Sequence, residues 1–315
     1  MTKTLVSVPS ELARADVENG ILSFAHALNE TDLFTDAALA RLIDAHPREH
    51  LNIHHMRGTC EDPVHVDADA GTLSGEEVLA AIRRGRIWLS LLQIERVHAR
   101  YAELLHALYD ELERQTPIRA LRRTRLANLL ISSPTAEVFY HADAQPNVLW
   151  HIRGRKRLIV YPPWDERFLS AANRELCLLG MLMDDVYRPE LEAEATVIDM
   201  GPGDVATWPQ STPHRVVNLE GLNVSISSEH HTPASKRRQH IAAANWFFRE
   251  SFGLPTRSLR ADGPWAAAKR LAYLACRAPG KLVGRPSLVP SDPDIAPTIR
   301  LDAGDARGFV EIRSA

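Results

Sequence analysis

EVFYHADAQPNVLWHIRGRKRLIVYPP (137–163) is the stretch on which the fold reading turns. It breaks into short runs rich in β-branched and aromatic residues, EVFYHAD, NVLWHIRG and KRLIVYPP, separated by Pro, Asn and Gly. Gly154 reads as a hairpin turn between the second run and the third. The same texture continues on both sides. RLANLLISS (125–133) comes before it; ATVIDMG (195–201), DVATWP (204–209), HRVVNL (214–219) and LNVSISSEH (222–230) come after. Eight such runs in about 105 residues point to an antiparallel sandwich or barrel. One partly helical insertion, 164–193, interrupts them.

Outside this region the period changes from two to between three and four. DAALARLIDAH (36–46), SGEEVLAAIRRG (74–85) and RVHARYAELLHALYDELERQ (96–115) have helical apolar spacing, and Ser74 is a good N-cap. HLNIHHM (50–56) and RIWLSLL (86–92) are extended pieces that can join a sheet built later in the chain. Helices return after 233, in ASKRRQHIAAANWFFRESF and GPWAAAKRLAYLACRA. The segment 279–298 reads as an extended loop, and GFVEIRS (308–314) as a last strand. The expected division is a helical region at 1–125 that lends strands to the core, a β-barrel at 126–232, and a helical extension and tail at 233–315. The expected fold class is a mainly β core with flanking α.

Composition narrows the function classes. The chain has 315 residues, 45% of them hydrophobic, enough to bury a sizeable core. Its 37 basic and 40 acidic residues give a net charge of -3, which argues against a chain-wide grip on nucleic acid. Three widely spaced cysteines, Cys60, Cys177 and Cys276, form neither a disulfide framework nor a CxxC metal site. They fit a reducing cytoplasm. The first twenty residues lack the apolar core of a signal peptide, and no run approaches a membrane span.

The chemistry is concentrated in FYHADAQPN (139–147). Residues i and i+2 of a strand share a face, so His141 and Asp143 project together. An HxD pair alone arises readily by chance among fourteen histidines. A third ligand makes it specific. His214 closes GPGDVATWPQSTPH (201–214), behind a strong Gly-Pro-Gly-Asp turn, and opens a strand. Two histidines and a carboxylate form the facial triad of non-haem Fe(II) oxygenases. Lys156, fifteen residues past His141, is placed to point into the barrel mouth, where a buried ammonium needs an anion. Its neighbours Arg153, Arg155 and Arg157 read as a solvated basic turn. The paired histidines His54–His55 and His230–His231 read as structural or substrate-facing. Trp150 and Trp208 read as core, or as lining of the pocket.

HADAQPNVLWHIRGRKRLIVYPP (141–163), with GPGDVATWPQSTPH behind it, resembles the JmjC and cupin-like family of Fe(II)/2-oxoglutarate oxygenases, and in its core motif the asparaginyl-hydroxylase branch acting on hypoxia-inducible factor. The likeness spans roughly 137–231. It implies a double-stranded β-helix (cupin or jelly roll) with iron on His141, Asp143 and His214. It further implies Lys156 on the distal carboxylate of 2-oxoglutarate and Asn147 as an amide contact to that cosubstrate. Two positions depart from the pattern. Val138 stands where that branch has a threonine, leaving Ser132, Asn128 and Tyr140 as polar substitutes. Ser227 stands where that branch has a late asparagine near the cosubstrate. The activity implied is hydroxylation of a protein side chain or a small molecule. A non-catalytic ligand-binding cupin and a metal-dependent cupin enzyme without 2-oxoglutarate remain the alternatives. The C-terminal helices either pack on the barrel or pair two copies of the chain.

Overall fold

In a computed structural model, the described residues are 4–13, 16, 18–181, 187–282 and 297–312. Thr35 and Ser74 start the first two helices. The Thr35 side chain accepts from the Ala38 amide at the head of α1 (Asp36–Ala45). Ser74 and Glu77 form a reciprocal capping box at the head of α2 (Gly75–Arg84), which satisfies two otherwise orphaned amides. Glycine is required at the first residue of α2, since a Cβ at Gly75 would lie 2.0 Å from the Ala40 carbonyl oxygen. A short α3 (Ile94–Val97) and the long α4 (Ala99–Gln115) complete the N-terminal helices. Their apolar stripes, with Leu39, Ile43, Leu79, Ile82, Leu105 and Leu108, bury against Leu89, Leu91, Leu129 and Ile131 of the sheet.

The strands are β1 (Val6–Ser7), β2 (Leu22–His26), β3 (Leu51–Gly58), β4 (Pro63–Asp69), β5 (Ile87–Leu91), β6 (Leu126–Ser132), β7 (Glu137–His141), β8 (Asn147–Val160), β9 (Thr196–Met200), β10 (Asp204–Trp208), β11 (His214–Glu229), β12 (Ile299–Leu301) and β13 (Phe309–Glu311). They are joined in the order β1-β2-β10-β8-β11-β6-β5-β3-β4-β12-β13, with β7 on β11 and β9 on β8. The extended pieces near 50 and 86 do join the sheet, as β3 and β5.

Two strands are long enough to belong to both layers of a barrel. The first part of β8 pairs with β10, and its second part pairs with β9. The first part of β11 pairs with β7, and its second part with β6. β8 and β11 pair with each other throughout, with register shifts between Asn218 and Ser225 where both strands turn. Leu149, Leu158, Val160, Met200, Ala206, Trp208 and Val216 fill the space between the layers. This is a double-stranded β-helix with helices packed outside it.

Two expectations change. Gly154 is not a hairpin turn: β8 runs unbroken through it, so Lys156 lies further along the same strand as Asn147. The glycine takes φ +80° at the bend, which a residue with a Cβ resists. Likewise HRVVNL and LNVSISSEH are one strand, β11. In the insertion, α5 (Ala171–Leu179) and a 3-10 turn (Pro189–Glu194) are present, and 182–186 lie outside the described residues. At the C-terminus, α6 (Pro233–Phe252) and α7 (Pro264–Leu282) pack on each other. α7 runs past 279, and 283–296 of the expected loop lie outside the described residues.

Gly154→Ala tests the bend. Its Cβ would sit 2.8 Å from Asn223 Cγ on top of the φ strain, so denaturant unfolding is expected to show a loss of about 2 kcal/mol. A loss below about 0.5 kcal/mol would mean that the bend does not depend on this glycine.

Candidate metal centre

Backbone pairing brings the first and last residues of the triad together. His141 at the end of β7 is the direct cross-strand partner of His214 at the start of β11. Three residues further back Val138 faces Val216, so β7 takes three steps against two on β11. Such a bulge re-aims the side chain beside it. Asp143 lies just past the end of β7, so strand alternation is not what holds it. The loop before His214 does. The Ser211 amide donates to the Asp143 carbonyl at 3.1 Å, and Gln210 Nε2 donates to the Ala144 carbonyl at 2.8 Å. Asn147 Nδ2 donates to Asp143 Oδ2 at 3.1 Å.

His141 Nε2 is 3.9 Å from Asp143 Oδ1, and His214 Nε2 is 3.6 Å from Asp143 Oδ2. One donor atom from each residue lies within 4.8 Å of the other two; among the described residues this is the one such His/Cys/Asp/Glu group. Both ring tautomers are set by the backbone. His141 Nδ1 donates to the Phe139 carbonyl at 2.7 Å, and His214 Nδ1 to the Thr212 carbonyl at 3.0 Å. Carbonyls only accept, so both Nε2 lone pairs are free and converge on the carboxylate. Burial, then the charge of His141, pulls His214 down to about 4, so it is the neutral imidazole a cation needs. The Trp208 ring packs beside it at a tilt, centroid to centroid 4.5 Å. These donors suit a divalent transition metal and leave its other positions to exogenous ligands.

The remaining expected residues divide by position. Asn147 and Ser227 are hydrogen-bonded to each other, 2.8 Å from Nδ2 to Oγ. Asn128 donates to Glu229 at 3.4 Å on the neighbouring strands. Ser132 is engaged by Asn218 Nδ2 at 2.8 Å. Val138 packs with Leu130 against the apolar barrel interior. Tyr140 does not join this set. It packs on Tyr161 and Tyr187, on the far face of the strands, and its hydroxyl donates to the Phe168 carbonyl. It was expected only as a polar substitute for the threonine that Val138 replaces.

Lys156 is buried, 5% exposed, and its ammonium donates to Ser225 Oγ at 2.9 Å. Among the described residues no carboxylate pairs with it. Burial pulls its pKa from 10.5 down to about 7. At 1.36 kcal/mol per unit this is roughly 5 kcal/mol against the charged form. The flanking arginines face outward: Arg153 pairs with Asp36, and Arg157 with Asp199. The paired histidines lie outside the triad. His55 meets Phe309 at a tilt, His230 bonds the Tyr109 hydroxyl, His231 lies 3.3 Å from Ser235 Oγ, and His54 lies beside Asp67.

Three residues of this region escaped the sequence reading. Ser225 and His151 accompany Lys156. Glu229 is half-buried near Asp143, and desolvation, then the charges of Asp143 and Glu95, raises it to about 7. The alternation Ser225, Ser227, Glu229 in one strand was the signal that links two of them to the interior face.

The sequence profile described as "Cupin-like domain" matches residues 83–253, more than half of the chain. Two curated proteins match over shorter stretches. tRNA wybutosine-synthesizing protein 5 of Homo sapiens is 28% identical over 103 residues, 32% of this chain and 33% of that one. tRNA wybutosine-synthesizing protein 4 of Aspergillus oryzae is 30% identical over 126 residues, 40% of this chain and 11% of that one. The chain thus spans a third or less of the curated relatives it matches. Among solved structures, the ribosomal oxygenase YcfD of Escherichia coli in complex with cobalt and succinic acid superposes over 90% of this chain and 69% of its own. The TM-score is 0.50 at 14% identity. Its complex with cobalt and 2-oxoglutarate gives a TM-score of 0.50 at 13% identity, with the same coverage. At such identity the likeness is one of fold.

His141→Ala and Asp143→Ala are each expected to lower bound Fe(II) or Mn(II) from one per chain to near zero by elemental analysis, with circular dichroism unchanged. Wild-type metal content in both would remove the triad from consideration.

Proposed function

The chain belongs to the cupin-like domain family, and we propose that within it the protein is an Fe(II)- and 2-oxoglutarate-dependent oxygenase that hydroxylates a protein side chain or a small molecule. One observation carries this reading. A two-histidine, one-carboxylate triad and a buried lysine with no acidic partner among the described residues line the same barrel. Iron and 2-oxoglutarate, when bound, supply oxygen activation and the oxidising equivalents for an unactivated C–H bond. The chain's own residues do the positioning. His141, Asp143 and His214 hold the metal on one face. The Lys156 ammonium supplies the charge for the distal carboxylate, and an anion there offsets the cost of burying it. Asn147 and Ser227 form a polar contact between the metal and the barrel wall. Asn128 on the neighbouring β6 donates to Glu229 at the end of β11.

The structural relatives named as complexes with 2-oxoglutarate and with succinic acid support this choice over a cupin that only binds a ligand. A cytoplasmic setting goes with the three free cysteines. No helix among the described residues is long and apolar enough to cross a membrane. A homodimer through the C-terminal helices is part of the proposal. Phe252, Leu254, Trp265 and Leu271, exposed at 62%, 47%, 74% and 66% among the described residues, lie in and between these helices.

Purified chain with Fe(II) and ascorbate is expected to bind 2-oxoglutarate and release succinate slowly without substrate, and Asp143→Ala to abolish the release. Absence of both binding and succinate from the wild type would leave a cupin of another kind. The sign of the pH dependence follows from Lys156. Its folded pKa is depressed, so the burial penalty is fully present below about 7 and is relieved as pH climbs toward 10.5. Anion binding reverses this and takes up a proton above pH 7. Calorimetric affinity should therefore fall by up to about tenfold per pH unit above 7, a slope that Lys156→Met should lack. For the dimer, Trp265→Glu with Leu271→Glu should convert a two-chain mass in light scattering to one; a one-chain wild type would end that part.

A further inference from the structure

At the bend of β8 and β11 lies a buried polar chain that the metal does not use. His151 is 0% exposed, and its Nε2 is 3.0 Å from the Gly154 carbonyl. A carbonyl accepts only, so Nε2 carries the hydrogen and Nδ1 is a bare lone pair. Burial pulls the imidazole down to about 3, so it is neutral at any working pH. Ser225 Oγ lies 3.0 Å from that Nδ1 and must donate to it. The same oxygen then has only lone pairs left for Lys156 Nζ, 2.9 Å away. The chain runs one way, from Lys156 to Ser225 to His151 to Gly154. All its side chains are buried, so no water competes for these bonds.

We propose that His151 is a positioning residue for the anionic cosubstrate: by taking the hydroxyl hydrogen of Ser225 it makes that serine a pure acceptor, which anchors the Lys156 ammonium and leaves its other hydrogens for a carboxylate. This rests on Lys156 as the partner of the 2-oxoglutarate carboxylate. A freely rotating Ser225 would present its hydrogen to the ammonium in some rotamers and loosen it. The His–Gly154 bond ties the tautomer to the strand bend itself, so the fold, not a solvent equilibrium, sets the direction of the chain. Packing alone would not require the imidazole: a leucine fills similar volume.

The test compares Ser225→Ala, His151→Leu and His151→Asn, whose amide oxygen can accept where Nδ1 did. Calorimetry measures 2-oxoglutarate affinity on Mn(II)-loaded protein, with metal affinity measured separately. NMR of labelled lysine side chains follows the titration of Lys156 in metal-free protein. Ser225→Ala and His151→Leu should weaken 2-oxoglutarate about tenfold at unchanged metal affinity and shift the Lys156 titration to lower pH. His151→Asn should recover most of both. Wild-type affinity and an unmoved Lys156 titration in Ser225→Ala overturn the proposal, and that variant decides it if His151→Leu does not fold. If the wild type binds no 2-oxoglutarate, the oxygenase reading falls on its own. The lysine titration then still decides whether the chain holds Lys156: a shift supports it and no shift overturns it.

Discussion

The continuous pairing of β8 with β11 is the constraint on which the rest depends. Both strands pass from one layer of the barrel to the other, and their shared bend closes one end of it. Backbone hydrogen bonds along this ladder set the registers of Asn147, Lys156, His214, Ser225 and Ser227 at once. A one-residue slip would turn each of them to the opposite face. Gly154 permits the bend, and the apolar filling of Leu149, Leu158 and Val216 keeps the two layers apart.

On this frame the polar groups are arranged by backbone carbonyls rather than by other side chains. The Phe139, Thr212 and Gly154 carbonyls each take one imidazole hydrogen, from His141, His214 and His151. Each bond leaves the opposite ring nitrogen as an acceptor facing the barrel. The carbonyls belong to bent or bulged backbone, where the ladder does not use them. The irregular backbone is therefore part of the site's chemistry. Lys156 shows the energetic side of the same design. Roughly 5 kcal/mol opposes its charge, more than the single charge-assisted hydrogen bond to Ser225 returns. In the function proposed above, the cosubstrate carboxylate would offset the difference.

Much of this was legible in the residues. The turn-punctuated β runs gave the strands, because period and Gly/Pro punctuation are local properties. The capping box at Ser74 gave the helix start for the same reason. HxD with a distal histidine behind GPGD named the three residues whose donor atoms the structure brings together, since metal chemistry restricts residue type sharply. What failed did so at bends. Gly154 looks like a hairpin because glycine with positive φ serves turns and strand bends alike. Tyr140 was named for its hydroxyl alone, and residue type does not tell which face a side chain takes beside a bulge.

The sequence by itself determined which residue types could meet a metal and which segments were strands. Only the tertiary structure decided which side chains do meet: that Asp143 is held by the 209–213 loop rather than by its strand, that Ser225 and His151 stand behind Lys156, and that Tyr140 faces away. Ligand type is a matter of each residue's own chemistry. Contact across 69 or 74 positions, as for Lys156 and His151 with Ser225, depends on the register of paired strands and on where they bend, which no local pattern encodes.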